Sequence, residues 1–256
     1  INLNQKLPIT ILETMLYNLI VFKNKNILLD YHMTRTIYTE SFRSSPLIFL
    51  GRGFQYSKKD FIKSYKFSSK RDDSKGIVHY RKLFEYTEDE EALSNKLNNL
   101  DSDINNSFPS FVKLTTKNKV IQLILELVGN AIEHAKAECL LDLDITHNKY
   151  TIGKNDKTNS KTYFGINITI LNKSDLLLFD RVKENAHAGF KYVRGRNQYR
   201  YDFILSAYNL HKSYFDRYYS ENNFWTLATM QHKISGRIIN GNSTGGTGST
   251  ALIEAL

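Results

Sequence analysis

Two parts of this chain combine residue types that can do chemistry with a spacing that would bring them together. Between Lys117 and Lys136, Glu126, Asn130, Glu133 and His134 recur at three- and four-residue intervals. On a helix they would form one polar line of carboxylates, a carboxamide and an imidazole. Near the other end, Gly241, Gly245, Gly246 and Gly248 are interleaved with Ser and Thr up to Thr250, ahead of a helical start at Ala251 to Leu256. Glycines let backbone N–H groups approach a ligand closely, and a following helix N-terminus adds positive partial charge, so this pattern suits a phosphate. It differs from a Walker loop, because no Lys-Ser or Lys-Thr follows the glycines. It also lacks the preceding strand and downstream acid of a dinucleotide fingerprint. A plain surface loop has the same composition. A third segment, Lys191 to Tyr201, alternates cations with tyrosines and could contact nucleic-acid phosphates and stack on bases, or simply be solvated.

The elements that must position these residues follow from periodicity. Leu12, Met15, Leu16, Leu19 and Ile20 predict a first helix with Pro8 in its opening turn. Ile27 to Tyr31 and Leu47 to Leu50 look like short strands, and Lys58 to Gly76 reads as loop or partly helical surface. Tyr86 to Ser110 reads as a short solvated helix and a connector, with a domain boundary near residue 110. The strongest pattern is the helix over Lys117 to Lys136, whose stripe of Val120, Leu123, Ile124, Leu127, Val128, Ala131 and Ile132 lies beside the polar line. Cys139 to Ile145 and Tyr163 to Leu171 read as an antiparallel pair of strands around a polar loop. Helices are expected over Phe203 to Tyr219 and Asn223 to Ile234, with no strand beyond Asn172.

The run Glu126-Leu-Val-Gly-Asn-Ala-Ile-Glu-His-Ala135, followed by two strands and then by the glycine loop, resembles the N-box of the GHKL ATPase superfamily. That group contains histidine kinases, DNA gyrase and MutL. The resemblance covers about residues 115 to 256 and implies an α/β Bergerat-type two-layer sandwich: a mixed, mainly antiparallel sheet with helices on one face. It would occupy residues 111–256, with a long lid over about 175–242, and residues 1–110 would be an accessory or partner-binding segment. The resemblance implies ATP and Mg²⁺ as ligands. Glu126 would be the catalytic carboxylate that orients or deprotonates water, and Asn130 the metal ligand, a carboxamide oxygen being a suitable hard donor. Gly245, Gly246, Thr247, Gly248 and Ser249 would cradle the phosphates, and Arg237, with Arg194, Arg196 and Arg200 of the lid, could fold over them.

The first glycine box departs from the pattern. In its place stands Ile170-Leu-Asn-Lys-Ser-Asp175, with Asn172 where the adenine-binding aspartate would be. Asn172 can accept a hydrogen bond from the adenine amino group, and Asp175 is a second candidate. Glu133 stands where many histidine kinases carry lysine, which points to another branch of the superfamily. His79-Tyr-Arg81 is the upstream phosphoacceptor candidate of note, and no proline follows it closely, so a phosphoacceptor role is not expected. The expected activity is slow ATP hydrolysis that drives a conformational or dimerisation switch with a protein partner, in a multi-component system such as phage defence. The alternatives are nucleic-acid binding through residues 191–201 and a serine protein kinase of the anti-sigma-factor kind.

Composition sets the outer bounds. With 41% hydrophobic and 24% charged residues, the chain belongs with globular proteins and away from disordered ones. The net charge of +9 favours polyanionic partners, although a Lys-, Asn- and Ile-rich composition can also reflect the source genome. One cysteine, Cys139, excludes an internal disulfide framework and fits a reducing cytoplasm. The apolar stretch Ile9 to Phe22 is broken by Thr10, Glu13, Thr14 and Asn18, so no membrane span is expected. The start at Ile1 reads as a trimmed boundary, and the stop at Leu256 suggests a truncated sheet.

Overall fold

The computed structural model describes residues 6–30, 44–52, 56–72, 77–109, 112–151, 160–177, 179–189, 191–194 and 197–231. It is a mixed α/β structure with seven α-helices and a four-stranded sheet among those residues. No helix among them is long and apolar enough to cross a membrane. The chain divides into two compact units, residues 1–132 with 137–173, and residues 133–136 with 174–256.

The first unit is built on antiparallel strands in the order β1 (Phe67–Asp72), β2 (Ile77–Phe84), β3 (Cys139–Thr151) and β4 (Ser160–Asn172). The expected hairpin is there, and both of its strands run on into the segment read as a polar loop. The sheet also crosses the boundary placed near residue 110: β2 pairs with β3 from Val78 opposite Ile145 to Phe84 opposite Cys139. Side chains alternate across a sheet, so the register sorts them into two faces.

One face carries Val78, Tyr80 and Phe84 of β2, Leu141, Leu143 and Ile145 of β3, and Ile166, Ile168 and Ile170 of β4. Helices α3 (Glu90–Ser107) and α4 (Leu114–Ala135) cover it with Leu100, Ile104, Ile121, Ile124, Val128 and Ile132. Asp89 caps α3, its side chain accepting from the backbone N–H groups of Glu91 and Ala92. At 18 residues, with Leu100 and Ile104 fully buried, α3 is longer and better packed than the short solvated helix expected.

The other face is covered too, by α1 (Lys6–Val21), a 3₁₀ turn (Pro46–Leu50) and α2 (Lys58–Lys66). Ile9, Leu16, Tyr17 and Ile20 of α1 pack with Leu47, Leu50, Phe61 and Tyr65 over Leu140. The rings of Tyr17 and Tyr65 stack at 4.1 Å. Helices thus lie on both faces of the sheet, and the layer on this second face comes from the first 66 residues, outside the segment 111–256 for which two layers are expected. The strands expected at Ile27 to Tyr31 and Leu47 to Leu50 are corrected. Ser45 accepts from the Leu47 N–H and Pro46 fixes the next φ, which winds 46–50 into the 3₁₀ turn. Among the described residues of these segments, one isolated parallel bridge forms, Leu29 to Gly51.

The second unit contains α5 (Asp180–His187), a hairpin of β5 (Lys191–Arg194) and β6 (Asn197–Arg200), α6 (Tyr201–His211) and α7 (Glu221–Thr229). Its core is Phe179, Val182, Ala186, Tyr201, Ile204, Phe224, Trp225 and Ala228. The segment expected to be a strandless lid therefore has a β-hairpin and an aromatic core of its own.

Candidate functional site

Helix α4 spans most of the segment its periodicity predicts. Ile121, Ile124, Val128 and Ile132 lie on the sheet side, and at 100° per residue Glu126 and Asn130 fall on the opposite side, one turn apart and half-buried. Gly129 lies against α3, where an added Cβ would stand 3.5 Å from Leu97 Cδ1. Asn172 is the last residue of β4, paired with Cys139 just after α4 ends, and it is exposed, as is Asp175. Ser174 donates from its hydroxyl to the carbonyl of Ala135 at the end of α4 and accepts from the Leu176 N–H, fixing the turn that carries Asp175. Arg194 lies on β5 and Arg200 on β6. Arg196, Arg237, Gly245, Gly246, Thr247, Gly248 and Ser249 lie outside the described residues, so the phosphate loop and the polar line of α4 are not brought together within them.

A different cluster of charged residues lies on the α1 face of the sheet. The register sets His79 opposite Asp144 and Arg81 opposite Asp142, with all four side chains on one face. Lys6, Thr10 and Glu13, spaced four and three residues apart on α1, come down onto them. Arg81 Nη2 donates to Glu13 Oε2 and to Asp142 Oδ2, and Ser45 Oγ donates to Glu13 Oε1. His79 Nδ1 lies 2.7 Å from Asp144 Oδ1, and Thr10 Oγ1 donates to Asp142 Oδ2 at 3.1 Å. Lys6 Nζ is 2.8 Å from both Asp142 Oδ1 and Asp144 Oδ2. Those two oxygens make no aligned hydrogen bond, so they are satisfied by the charge of Lys6. His79 Nε2 and Arg81 Nε and Nη1 have no hydrogen-bond partner either.

Burial sets the protonation of this cluster, and the partners then move it. Burial alone would raise the pKa of Asp142, but Arg81 and Lys6 hold the carboxyl below its ordinary value. Asp144 is likewise opposed by burial and is brought down to about 2 by His79 and Lys6. Glu13 goes the other way: its burial outweighs Arg81 and the pKa is raised. Burial lowers His79, favouring the neutral imidazole.

The sequence reading considered His79 and Arg81 only as part of a phosphoacceptor motif, and it passed over Lys6, Asp142 and Asp144. The available signal was two charged pairs at i and i+2, His79/Arg81 and Asp142/Asp144, inside otherwise apolar strands. No family model matches this chain, and no curated protein or solved structure is significantly similar to it.

Proposed function

We propose that the chain carries a GHKL-type nucleotide-binding domain that binds ATP with Mg²⁺ beside α4 and hydrolyses it slowly, to drive a conformational or dimerisation switch with a protein partner. The observation that carries this reading is the order of elements: α4, bearing Glu126 and Asn130 one turn apart, leads directly into the antiparallel β3–β4 hairpin, whose last residue is Asn172. In that arrangement Asn130 supplies a carboxamide oxygen to the metal and Glu126 a carboxylate to the attacking water, an oxygen donor set that fits Mg²⁺. The same reading assigns Gly245 to Ser249 and Arg237 to the phosphates, and Asn172 or Asp175 to the adenine. We place the protein in the cytoplasm, within a multi-component system of the phage-defence kind.

The test is thermal stability with ATP and Mg²⁺, with GTP as control. At 100 times its dissociation constant a ligand stabilises the fold by about 2.7 kcal/mol. Asn130→Ala should remove the Mg²⁺-dependent shift, whereas Glu126→Ala should keep it and stop phosphate release. A shift of parental size in Asn130→Ala would overturn the assignment.

A further inference from the structure

We propose that His79, Asp142 and Asp144 form a binding site for a divalent transition metal of the zinc or manganese class, and that the Lys6 ammonium is a built-in cation holding the place of that metal. The inference is independent of the nucleotide reading. His79 Nδ1 and one carboxylate oxygen from each aspartate lie within 4.8 Å of one another, close enough for a single ion to touch all three. Strand register fixes the set, because His79 stands opposite Asp144 and Asp142 is two residues away on the same face. One imidazole and two carboxylates are the ligands that zinc and manganese accept, and they are too few for calcium, which takes six to eight oxygens.

A cation already bridges the two carboxylates. Lys6 Nζ sits 2.8 Å from Asp142 Oδ1 and 2.8 Å from Asp144 Oδ2, and Asp142 Oδ1 is in turn 3.7 Å from His79 Nδ1. A metal at that position would draw the same oxygens in to about 2.1 Å. Three carboxyl groups, Glu13, Asp142 and Asp144, crowd around Lys6 and Arg81, so the cluster already holds cations against buried carboxyl oxygens, and a divalent ion in the ammonium's place would keep Asp142 and Asp144 paired. His79 is 1% exposed and its Nδ1 already points into the cluster, 2.7 Å from Asp144 Oδ1, so the ligand nitrogen is in place.

Access follows from the position of Lys6. It is the first residue of α1, at 9% exposure the most accessible of these charged side chains, and it reaches the cluster on a flexible four-carbon stem. When the ammonium swings out to water, the ion enters along the path it leaves.

The experiment is a Co²⁺ titration of the full chain, followed by visible absorption and reversed by Zn²⁺. Lys6→Ala should bind Co²⁺ at least tenfold more tightly than the parent, and adding His79→Gln should weaken binding at least tenfold and change the ligand-field bands. Asn130→Ala should leave the titration unchanged, which separates this site from the nucleotide site. No binding by Lys6→Ala, or binding unaffected by His79→Gln or abolished by Asn130→Ala, overturns the proposal. Should Lys6→Ala fail to fold, recovery of the folded state by Zn²⁺ and not by Mg²⁺ supports the site, and failure to recover overturns it.

Discussion

Strands β2 and β3 present two unlike faces from the same seven register pairs. Toward α3 and α4 they show Val78, Tyr80, Phe84, Leu141, Leu143 and Ile145; toward α1 they show His79, Arg81, Asp142 and Asp144. Alternation of this kind ordinarily marks a sheet with one wet face. Here the charged face is as dry as the apolar one, since Arg81 and Asp142 are both at 0% exposure. The difference lies in how each layer is held. Apolar packing tolerates small losses in proportion to the atoms removed, whereas a buried ion network depends on every partner being present, because each charge left behind is stranded in a medium that cannot solvate it.

The comparison can be broken most sharply through Cys139, on the apolar face. Burial pushes its thiol from about 9 up to about 12, so at pH 8 the thiolate is about a thousandfold scarcer than for an ordinary cysteine. A disulfide reagent should leave the native protein essentially unmodified and react on denaturation; rapid native labelling would mean that water reaches this layer. Next in size is Arg81→Met, which strands Glu13 and leaves Asp142 with Lys6 as its one cation. It should cost about 3–5 kcal/mol in urea unfolding, and a loss under about 1 kcal/mol would show that the charged face is wet.

Leu143→Ala, on the apolar side of the neighbouring register pair, should cost about 2–4 kcal/mol by the same assay. The smallest effect is expected from removing Arg81 together with both of its carboxylate partners, Glu13→Leu with Arg81→Met and Asp142→Leu. This variant should fall within about 1 kcal/mol of the parent, because no charge of that group is left unpaired and Lys6 still offsets Asp144. If it is as unstable as Arg81→Met alone, then shape rather than charge pairing holds α1 to the sheet.

What could be read in advance depended on how local the cause was. The α4 stripe and the β3–β4 hairpin declare themselves within a dozen residues, because period and turn are written in neighbouring positions. Strand β2 did not, since Ile77-Val-His-Tyr-Arg-Lys-Leu-Phe84 places cations where a core strand should be apolar. The burial of His79 and Arg81 is explained by Asp144 and Asp142 on β3 together with α1, and the bond from Thr10 to Asp142 spans 132 residues. The 3₁₀ turn was missed for a local reason, the Ser45 cap outweighing the strand propensity of Leu47 to Leu50. For the polar line of α4, the helix and the spacing were legible. The chemistry assigned to Glu126 and Asn130 rests on resemblance and is tested by the thermal-stability experiment above.

The distance between α1 and its partners on β3 also sets an order of events during synthesis. A ribosome releases α1 long before Asp142 and Asp144 exist, so Lys6 and Glu13 must wait in water, with Ile9, Leu16, Tyr17 and Ile20 unburied beside them. Contacts this remote in sequence close slowly. Helix α1, made before either strand, is therefore among the last elements of this unit to dock. Until it does, the nascent chain carries an apolar helix bearing an unpaired cation and an unpaired anion, a surface that a chaperone would find before the sheet does.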